Sequence, residues 1–489
     1  MQRPARWSQL AVAGFMAAYV ATFIPLSLVR HRAFFTARYD LGNMTQAVWS
    51  ASHGELFRVT DPDGLRVSRL GSHVDPILGL LAPLWKIWPH PELLLVVQTA
   101  AVATMAVPVF LLARHWLHDD RLAVAFAAVT LLFPAVQWAT LFDFHLVTLA
   151  APLILWCIWA AVAGRYVTLA VLAVLAAMTK EQVGLALVML GLWMIFSLGR
   201  RRAGAILAVG SLAWTAVAVG VIIPHYNTGG GSPFVAARYD DLGDGVGGVL
   251  KTLVLHPWDA VSVAATQDRG VYVLALLLPL LGLSLGAPLL AAGALPDLVL
   301  NVLSSRPEQH HIEYHYSAVI APFLLAAAIR GLASLRDRKR PLWLRRSLLS
   351  SSVVATVLIA TVVVSGYLLG PLPFWQHVPG GSHVRAEQFT VPARAAVLRQ
   401  ALALVPDGAA VSAGNRIAGH LSARRTILVF PAIADAAFVV VDTDRADIGD
   451  ELNPAEHAAR VAELRRRTDF APIFDRDGVV VFRRKEFIP

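Results

Sequence analysis

Residues 92–114 read ELLLVVQTAAVATMAVPVFLLAR, an apolar run with one acid at its first position and one base at its last. A helix needs about 20 such residues to cross roughly 30 Å of hydrocarbon. Similar runs recur along the chain of 489 residues, which is 56% hydrophobic and only 15% charged. Soluble globular proteins carry about 25% charged residues. The sequence therefore predicts an α-helical, polytopic membrane protein.

The apolar runs predict about eleven transmembrane helices. Residues 74–90 (VDPILGLLAPLWKIWPH) are apolar too, but they are short, with Pro76 and Pro83 within them. For this segment we predict an interfacial or re-entrant helix, with Trp85, Lys86 and Trp88 in the headgroup zone. The predicted spans are 8–30, 92–114, 121–141, 145–163, 166–179, 182–199, 203–223, 270–285, 287–304, 316–335 and 347–369.

The net charge of +9 comes largely from Lys and Arg at the ends of apolar runs, as at 200–202 and 330–346. Basic loops of this kind stay on the cytoplasmic side, so the charge does not indicate nucleic-acid binding. The pattern predicts a multi-pass protein of the plasma (inner) membrane with a cytoplasmic N-terminus. The loops predicted outside are 31–73, 142–145, 179–181, 224–268 and 304–316, together with the chain from about 371.

We divide the chain into a membrane domain at 1–370, with a large first outside loop at 31–91, and a soluble domain at 371–489. Short apolar runs in the soluble part are typical of buried strands. The tail is therefore predicted to be a small extracytoplasmic α/β domain. Its predicted strands are 409–412, 426–430, 437–441 and 478–482, and its predicted helices are 392–405 and 454–468.

The first outside loop contains polar residues that suggest chemistry. RYDLGNMTQAVWS at 38–50 places Asp40, Asn43 and Gln46 on one predicted helical face. An acid such as Asp40 can bind a metal, act as a base or bind a sugar hydroxyl, or it can simply cap a helix. SHVDP at 72–76 adds His73 and Asp75, and Asp75 before proline can also be an N-cap.

Two short outside turns carry charges beside the hydrocarbon, where charge is costly unless it faces water or a partner. In FDFH at 142–145, Asp143 and His145 can ligate a divalent cation, or the histidine can orient the carboxylate. A tight polar turn is the alternative. In TKEQ at 179–182, Lys180 can neutralise a phosphate while Glu181 meets a sugar or a metal, and an interfacial ion pair is the alternative.

The last membrane loop, SSRPEQHHIEYHYS at 304–317, is rich in ionisable groups. Its histidine spacing does not match a structural zinc site. We predict that Arg306 and His315 hold a phosphate or a sugar. Tyr316 can be an interface anchor or a stacking surface for a sugar ring. A wet turn with no ligand is the alternative.

Several of these segments together resemble a bacterial family of predicted membrane proteins known only as a domain of unknown function. They are RYDLGNMTQAVWS, SHVDPILGLLAPLW, FDFHLVTLAAPLILW, TKEQVGL, HIEYHYSAVIAPFL and, in the tail, VSAGNRIAGHLSARR. That family in turn is similar to the C-type (GT-C) glycosyltransferases, multi-spanning enzymes that use polyprenyl-phosphate sugars. The fold expected is thus GT-C-like.

The resemblance implies roles for individual residues. Asp40 would be the catalytic base and Asp143 the second catalytic acid, and Asp40, Asp143 and His145 would form the site for a divalent cation (Mg²⁺ or Mn²⁺). The sequence departs from the usual pattern at Leu41, where many members have a second acid. The candidate substrate-binding residues are Gln46, His73, Asp75, Lys180, Glu181, Arg306, His315 and Tyr316.

The function expected is an inverting glycosyltransferase that moves a sugar from a polyprenyl-phosphate donor to an envelope glycan or lipid at the outer face. The alternatives are a transporter or flippase of a lipid-linked envelope precursor, and a non-catalytic assembly protein. The polar candidates lie at span ends on one predicted side, and no internal repeat is visible in the sequence, which favours an enzyme over a transporter. A common cavity for Asp40, Asp143 and His145 would favour catalysis.

Overall fold

The computed structural model describes residues 4–227, 238–243, 245–336, 350–382, 386–443 and 453–487. Parts of the predicted loops 224–268 and 330–346 lie outside the described residues. The helices up to the tail are α1 (Arg6–Arg32), α2 (Asn43–Ser52), α3 (Ala82–Ile87), α4 (Glu92–Ala103), α5 (Ala106–Leu117), α6 (Asp120–Leu132), α7 (Pro134–Leu141), α8 (Leu146–Ala163), α9 (Tyr166–Ala177), α10 (Val183–Leu198), α11 (Arg201–Val217), α12 (Ile223–Tyr226), α13 (Gly245–Leu255), α14 (Pro257–Ala264), α15 (Gln267–Leu277), α16 (Pro288–Ala291), α17 (Leu295–Val302), α18 (Ile320–Leu335) and α19 (Ser351–Leu369).

These helices confirm the predicted polytopic architecture. Within the described residues, five segments are long and apolar enough to cross a bilayer: α1, α4 with α5, α8, α11 with α12, and α19. Two bent pairs, α6 with α7 at 45° and α14 with α15 at 71°, raise this number to seven. Shorter apolar helices lie at α9, α10, α18 and Pro288–Val302. The predicted total of about eleven requires these four to cross as well.

Close helix packing forms the centre of the membrane part. Phe126 of α6, Ile154 of α8 and Phe323 of α18 are fully buried in one cluster. Because lipid is as apolar as these side chains, helices in a bilayer associate through tight contacts between small residues. Between α10 and α11, a Cβ on Gly191 would lie 2.6 Å from the carbonyl oxygen of Gly204. The two glycines thus allow direct backbone contact.

The segment predicted to be interfacial forms a 3₁₀ turn, Pro76–Leu81, followed by α3. Its 12 residues (Pro76–Ile87) reach about 18 Å as a helix, too short to cross the hydrocarbon. Trp85 of this segment, however, faces the protein interior. Its ring is only 2% exposed and packs in a cluster with Leu41 and Leu78, while Trp88 is exposed.

The tail contains a mixed five-stranded sheet, which confirms the predicted α/β region. Strand order is β4-β3-β5-β7-β6, with β3 parallel to β4 and β5, and β7 antiparallel to β5 and β6. The prediction missed β6, in which Pro472 interrupts the short apolar stretch FAPIF and most side chains are exposed. The elements are α20 (Arg394–Leu402), β3 (Val411–Ala413), α21 (Asn415–His420), β4 (Ile427–Val429), β5 (Phe438–Asp442), α22 (Pro454–Arg466), β6 (Phe470–Arg476) and β7 (Val479–Arg484).

The tail packs directly on the segment 31–91, the loop predicted to be the first one outside. This loop holds a π-helical turn, Arg38–Gly42, and a two-stranded hairpin made of β1 (Arg58–Thr60) and β2 (Arg66–Ser68). α21 lies against the π-helical turn so closely that a Cβ on Gly42 would be 2.5 Å from the Ser422 hydroxyl and 3.2 Å from the Gly419 Cα. The loop and the tail therefore form one packed unit at the end of the bundle.

Candidate functional site

A polar cavity of about 570 Å³ lies where the first outside loop meets the turns before α8, α10 and α18. Eight of the residues singled out from the sequence line it. They come from five separate segments of the chain, so the fold brings distant motifs together. They are Asp40, His73, Asp75, His145, Lys180, Arg306, His315 and Tyr316.

Asp40 is positioned by the π-helical turn. Gly42, and not Asp40, holds the N-cap position of α2, so the predicted alternative of a helix cap was wrong. The turn is anchored from two sides. The side-chain oxygen of Asn415, in the tail, accepts hydrogen bonds from the backbone N–H groups of Arg38 (2.9 Å) and Tyr39 (3.4 Å). The carboxylate of Asp143 accepts one from the N–H of Ala37 at 2.7 Å.

His145 contacts Asp40 inside the cavity, with Nε2 3.2 Å from Oδ1. The other ring nitrogen, Nδ1, lies 3.0 Å from the backbone carbonyl of Asp143. Since a carbonyl only accepts, Nδ1 carries a proton, and the Nε2–Oδ1 contact then needs a second proton shared with the carboxylate. The pair can thus hold one transferable proton at the cavity wall.

Aromatic rings fix the orientation of this histidine. The rings of His145 and His315 stack at 3.6 Å with an angle of 12°, and Phe142 stacks on both. Burial, and after it the neighbouring His145, lowers the pKa of His315 well below its ordinary value. His315 therefore stays neutral at pH 7 and adds no positive charge beside His145.

Asp143 lies behind the cavity, which differs from its predicted place beside Asp40 in a metal site. Its side chain is buried, and it lies at the backbone of Ala37. Burial, together with the charge of Asp40, raises the pKa of Asp143 to about 6 against the opposing effect of Arg30. Within the described residues, no group of three or more His, Cys, Asp or Glu side chains is arranged to hold a metal ion. The three predicted ligands therefore do not converge on one cation.

Gln98 supports the turn that carries Asp143 and His145, and the sequence reasoning missed it. Its amide oxygen accepts the N–H of His145 at 2.9 Å. Its amide nitrogen lies 3.1–3.4 Å from four carbonyls of residues 139–143. Gln98 is completely buried. The available signal was a lone amide in the middle of the apolar run 92–114.

Glu181 also lies behind the cavity wall. Its carboxylate accepts hydrogen bonds from His73 Nδ1 at 3.0 Å and from the N–H of Val74 at 3.1 Å. Burial opposes ionisation, but His73 and Lys180 outweigh it and hold the pKa of Glu181 below its usual range. Burial also lowers the pKa of Lys180. Glu181 thus orients His73, and the described cavity wall does not include it.

Asp75 pairs with Arg69, another residue that the sequence reasoning missed. The two side chains are 2.6 Å apart and almost completely buried. Asp75 holds the N-cap position of the turn Pro76–Leu81, but its carboxylate is used by Arg69 rather than by the backbone of that turn. Asp75 therefore forms a buried ion pair that lines the cavity, a role that was not among the predicted alternatives of a cap and a functional residue.

Gln46 does not reach the described cavity wall, which corrects its predicted place beside Asp40. The π-helical turn adds a residue to the helical repeat, so the face assumed for a regular helix is broken between them. The amide of Gln46 instead accepts hydrogen bonds from Arg38 and from the N–H of Thr60, and donates to the carbonyl of Arg424. It links the loop to the tail.

The charged lining of the cavity has a basic excess. Arg69, Lys180, Arg238 and Arg306 face two acids, Asp40 and Asp75, among the described lining residues. The guanidinium of Arg238 also stands 5.9 Å from the ring of Tyr316. This excess of positive charge in the lining makes the cavity suited to an anion such as a phosphate.

An apolar groove of about 640 Å³ runs between α9 and α11 and ends at Pro76 and Met178. The N–H of Ile77 donates to the carbonyl of Met178 at 3.2 Å, so the two segments meet there. Thr179 and Lys180, which come next in the chain, line the polar cavity. The end of the groove is therefore next in the chain to two residues of the cavity wall, Asp75 and Thr179.

Comparisons with known proteins agree with the resemblance found in the sequence. A family model described as a predicted membrane protein (DUF2079) matches residues 30–481. The crystal structure of ArnT from Cupriavidus metallidurans bound to undecaprenyl phosphate aligns with a TM-score of 0.50 and 14% identity, covering 95% of this chain and 98% of that one.

The archaeal oligosaccharyltransferase AglB from Archaeoglobus fulgidus, in complex with an inhibitory peptide and a dolichol-phosphate, aligns with a TM-score of 0.42 and 12% identity, over 90% of this chain and 70% of that one. Among curated proteins there is no significant match. The similarity to ArnT extends over the whole length of both chains and confirms the GT-C-like fold expected from the sequence.

Proposed function

Since the chain belongs to the DUF2079 family of predicted membrane proteins, with a GT-C-like fold, we propose that it is a membrane glycosyltransferase. It moves a sugar from a polyprenyl-phosphate donor to a hydroxyl of a cell-envelope acceptor. The observation that carries the proposal is a basic cavity that contains a carboxylate–histidine pair, beside an apolar groove that ends at Met178, two positions before Lys180 of the cavity.

The donor fits the two spaces in one orientation. Its isoprenoid chain would lie in the apolar groove between α9 and α11, and its phosphate would meet Lys180, Arg238 and Arg306. These side chains would neutralise the charge that grows on the phosphate oxygen as the glycosidic bond breaks, which is where a transferase needs stabilisation. ArnT, the similar protein of known structure, was crystallised with undecaprenyl phosphate.

Asp40 would act as the base. The oxygen of the acceptor hydroxyl attacks the anomeric carbon and its proton passes to Asp40. The bond from that carbon to the phosphate oxygen breaks, and the polyprenyl phosphate leaves with the electron pair. Attack opposite to the leaving phosphate inverts the anomeric centre. His145, 3.2 Å from Asp40, orients the carboxylate, and Asp40, whose side chain is 32% exposed, releases the proton to solvent before the next turnover.

The residues present do not fit a divalent cation held by the predicted ligands. Asp143 faces the backbone of Ala37, and the Asp40 oxygen nearest to His145 is engaged with its ring. The mechanism therefore assigns phosphate neutralisation to side-chain cations. We expect transfer to continue after chelation with EDTA and dialysis, and loss of activity that returns with Mg²⁺ or Mn²⁺ would contradict this assignment.

The reaction would take place at the outer face of the plasma membrane. The cavity is built from the loops that the distribution of Lys and Arg predicts outside, and the tail that contacts Asp40's turn would then be extracytoplasmic, with the N-terminus cytoplasmic. Single cysteines placed in the tail and at the N-terminus of a Cys157→Ala protein would test this sidedness with a membrane-impermeant thiol reagent on intact cells.

The function itself is tested with purified protein, a panel of radiolabelled polyprenyl-phosphate sugars and an envelope glycan extract. Wild type should transfer label, Asp40→Asn should lose it, and Asp259→Asn, a matched change at an exposed acid of α14, should keep it. If no donor gives transfer while reconstituted wild type moves a lipid-linked sugar across vesicles, the protein is a flippase and the proposal fails.

A further inference from the structure

A second cavity, also of about 570 Å³, lies between the tail and the first outside loop. Its walls are formed by the hairpin of the loop, the residues that follow β4, and one side of α22. Its volume is in the range of about 300–1,000 Å³ that small-ligand sites occupy. The transferase chemistry described above makes no use of it.

The two cavities meet at Tyr39. This residue lines both of them and precedes Asp40 in the π-helical turn, and 41% of its surface is exposed. A molecule held in the second cavity would therefore lie against the residue next to Asp40. The position is that expected for the acceptor, which has to approach the anomeric carbon from the side of the base.

The topology of the tail places this cavity at the usual ligand side of a parallel sheet. Ligands of open α/β sheets bind beyond the carboxyl ends of the strands, where the chain crosses from one side of a strand to the other. Here β3 has β4 on one side and β5 on the other. Asn415, just beyond β3, binds the backbone of Tyr39, and residues 429–434 at the end of β4 line the cavity.

The charges of the second cavity differ from those of the first. Its described lining contains two bases, Arg460 and Arg467, and two acids, Asp63 and Glu463. Arg460 pairs with Glu463 at 3.0 Å, and Arg467 pairs with Asp469 at 2.7 Å. With its cations compensated, the cavity does not select an anion. An aromatic ring beside paired polar groups suits the hydroxyls and the apolar face of a sugar.

From this placement and charge balance we propose that the cavity between the tail and the first loop is the acceptor site, and that it binds an uncharged carbohydrate chain. The proposal rests on the transferase function, because it names the second substrate of that reaction. It makes the tail a specificity domain, and it separates the two ligands by charge, the phosphate going to the basic cavity and the neutral glycan to the balanced one.

The test measures binding rather than turnover. Purified full-length protein is titrated with neutral tetra- to hexasaccharides of mannose, galactose, arabinose and glucose, with a phosphorylated oligosaccharide, and separately with a short-chain polyprenyl phosphate. The cavity is altered by Arg460→Gln with Glu463→Gln, and independently filled by Ile433→Trp. Arg465→Gln is the matched control, because Arg465 lies on the same helix and pairs with Asp475 at 2.7 Å outside the cavity.

We expect at least one neutral oligosaccharide to bind wild type and Arg465→Gln alike, and to bind both cavity variants at least tenfold more weakly, with polyprenyl-phosphate affinity unchanged throughout. Binding of the phosphorylated sugar alone, or equal glycan binding by the filled Ile433→Trp protein, overturns the inference. So does the absence of any glycan binding by a wild type that binds the lipid phosphate. Glycan binding without lipid-phosphate binding would overturn the proposed transferase and leave the carbohydrate site standing.

Discussion

Two substitutions of His145 separate the proposed work of its two ring nitrogens. Asparagine places its amide near the position of Nδ1, whereas glutamine reaches the position of Nε2. Both lose the stack with His315 at 3.6 Å, so both should lose a similar amount of stability, about 0.5–1.5 kcal/mol. The contact with Asp40 at 3.2 Å can be restored only by His145→Gln.

The size of the effect follows from the contact that is lost. A hydrogen bond to a charged group contributes about 1.5–3 kcal/mol, and each 1.36 kcal/mol of transition-state stabilisation is about a factor of ten in rate. Because the Asp40 side chain is 32% exposed, solvent replaces part of the loss and the lower end applies. We expect His145→Asn to lower kcat about tenfold and His145→Gln to stay within about threefold of wild type.

The assay is the initial rate of transfer from the most active radiolabelled donor, measured over a range of donor concentrations. KM should change little in either variant, since the phosphate contacts lie elsewhere. Asp40→Asn should give the lowest rate of transfer, because loss of a general base lowers the rate about 10²–10⁴-fold. Equal rates for the two His145 variants would refute the idea that Nε2 orients Asp40, whatever their absolute values.

Three further predictions concern the support of the site. Gln98→Leu leaves the N–H of His145 buried without its acceptor, which costs about 1–3 kcal/mol of stability. With both variants in detergent at low pH, thermal unfolding should therefore begin at a lower temperature for Gln98→Leu than for Gln98→Glu. A melting curve of Gln98→Leu equal to that of wild type would exclude this role. Burial raises the pKa of Asp143 to about 6. The stability that the protonated side chain contributes is therefore complete below the ordinary aspartate pKa of about 4 and is lost as the pH rises through 6. Asp143→Asn should flatten the fall in melting temperature between these two pH values, and an identical slope in the variant and in wild type would contradict this protonation. Gly42→Ala brings a Cβ within 2.5 Å of the Ser422 hydroxyl, an overpacking that costs about 1–3 kcal/mol, so proteolysis should release the tail faster, and the double variant with Ser422→Ala should recover much of the loss.

The membrane part could be predicted because hydrocarbon thickness imposes a length on every span. The run 92–114 becomes α4 and α5, and the basic ends of the runs mark the predicted loops. Buried strands of the tail, such as β5, are continuous apolar runs for a similar reason, since both of their faces are covered. In β6 a proline interrupts the apolar stretch and most side chains are exposed, and this strand was missed.

Much of the candidate site could also be predicted, because charged residues beside hydrocarbon are rare enough to be conspicuous. Asp40, His145 and Lys180 were found in this way, and the structure places all three on one cavity. Sequence could not show which polar side chains support others. Gln46 turned away because a π-helical turn breaks the helical repeat, and Asp143 faces the backbone of Ala37.

Contacts between distant parts of the chain were beyond the reach of pattern reasoning. Arg38 and Asn415 are separated by 377 positions, yet the side chain of one residue holds the backbone of the other. A local pattern contains no signal for such a pair. The same holds for Tyr39, which lines two cavities only because the tail packs against the first loop.

The hydrogen bonds from Asn415 to the turn of Asp40 impose an order on biosynthesis. The chain emerges from the ribosome N-terminus first, so the spans are inserted before residue 415 has been translated. Until the tail is translated and folded, Arg38 and Tyr39 lack the acceptor that fixes their backbone. In the proposed transferase, a truncated protein would carry Asp40 on a turn without this anchor. Completion of the polypeptide would then be required to position the base.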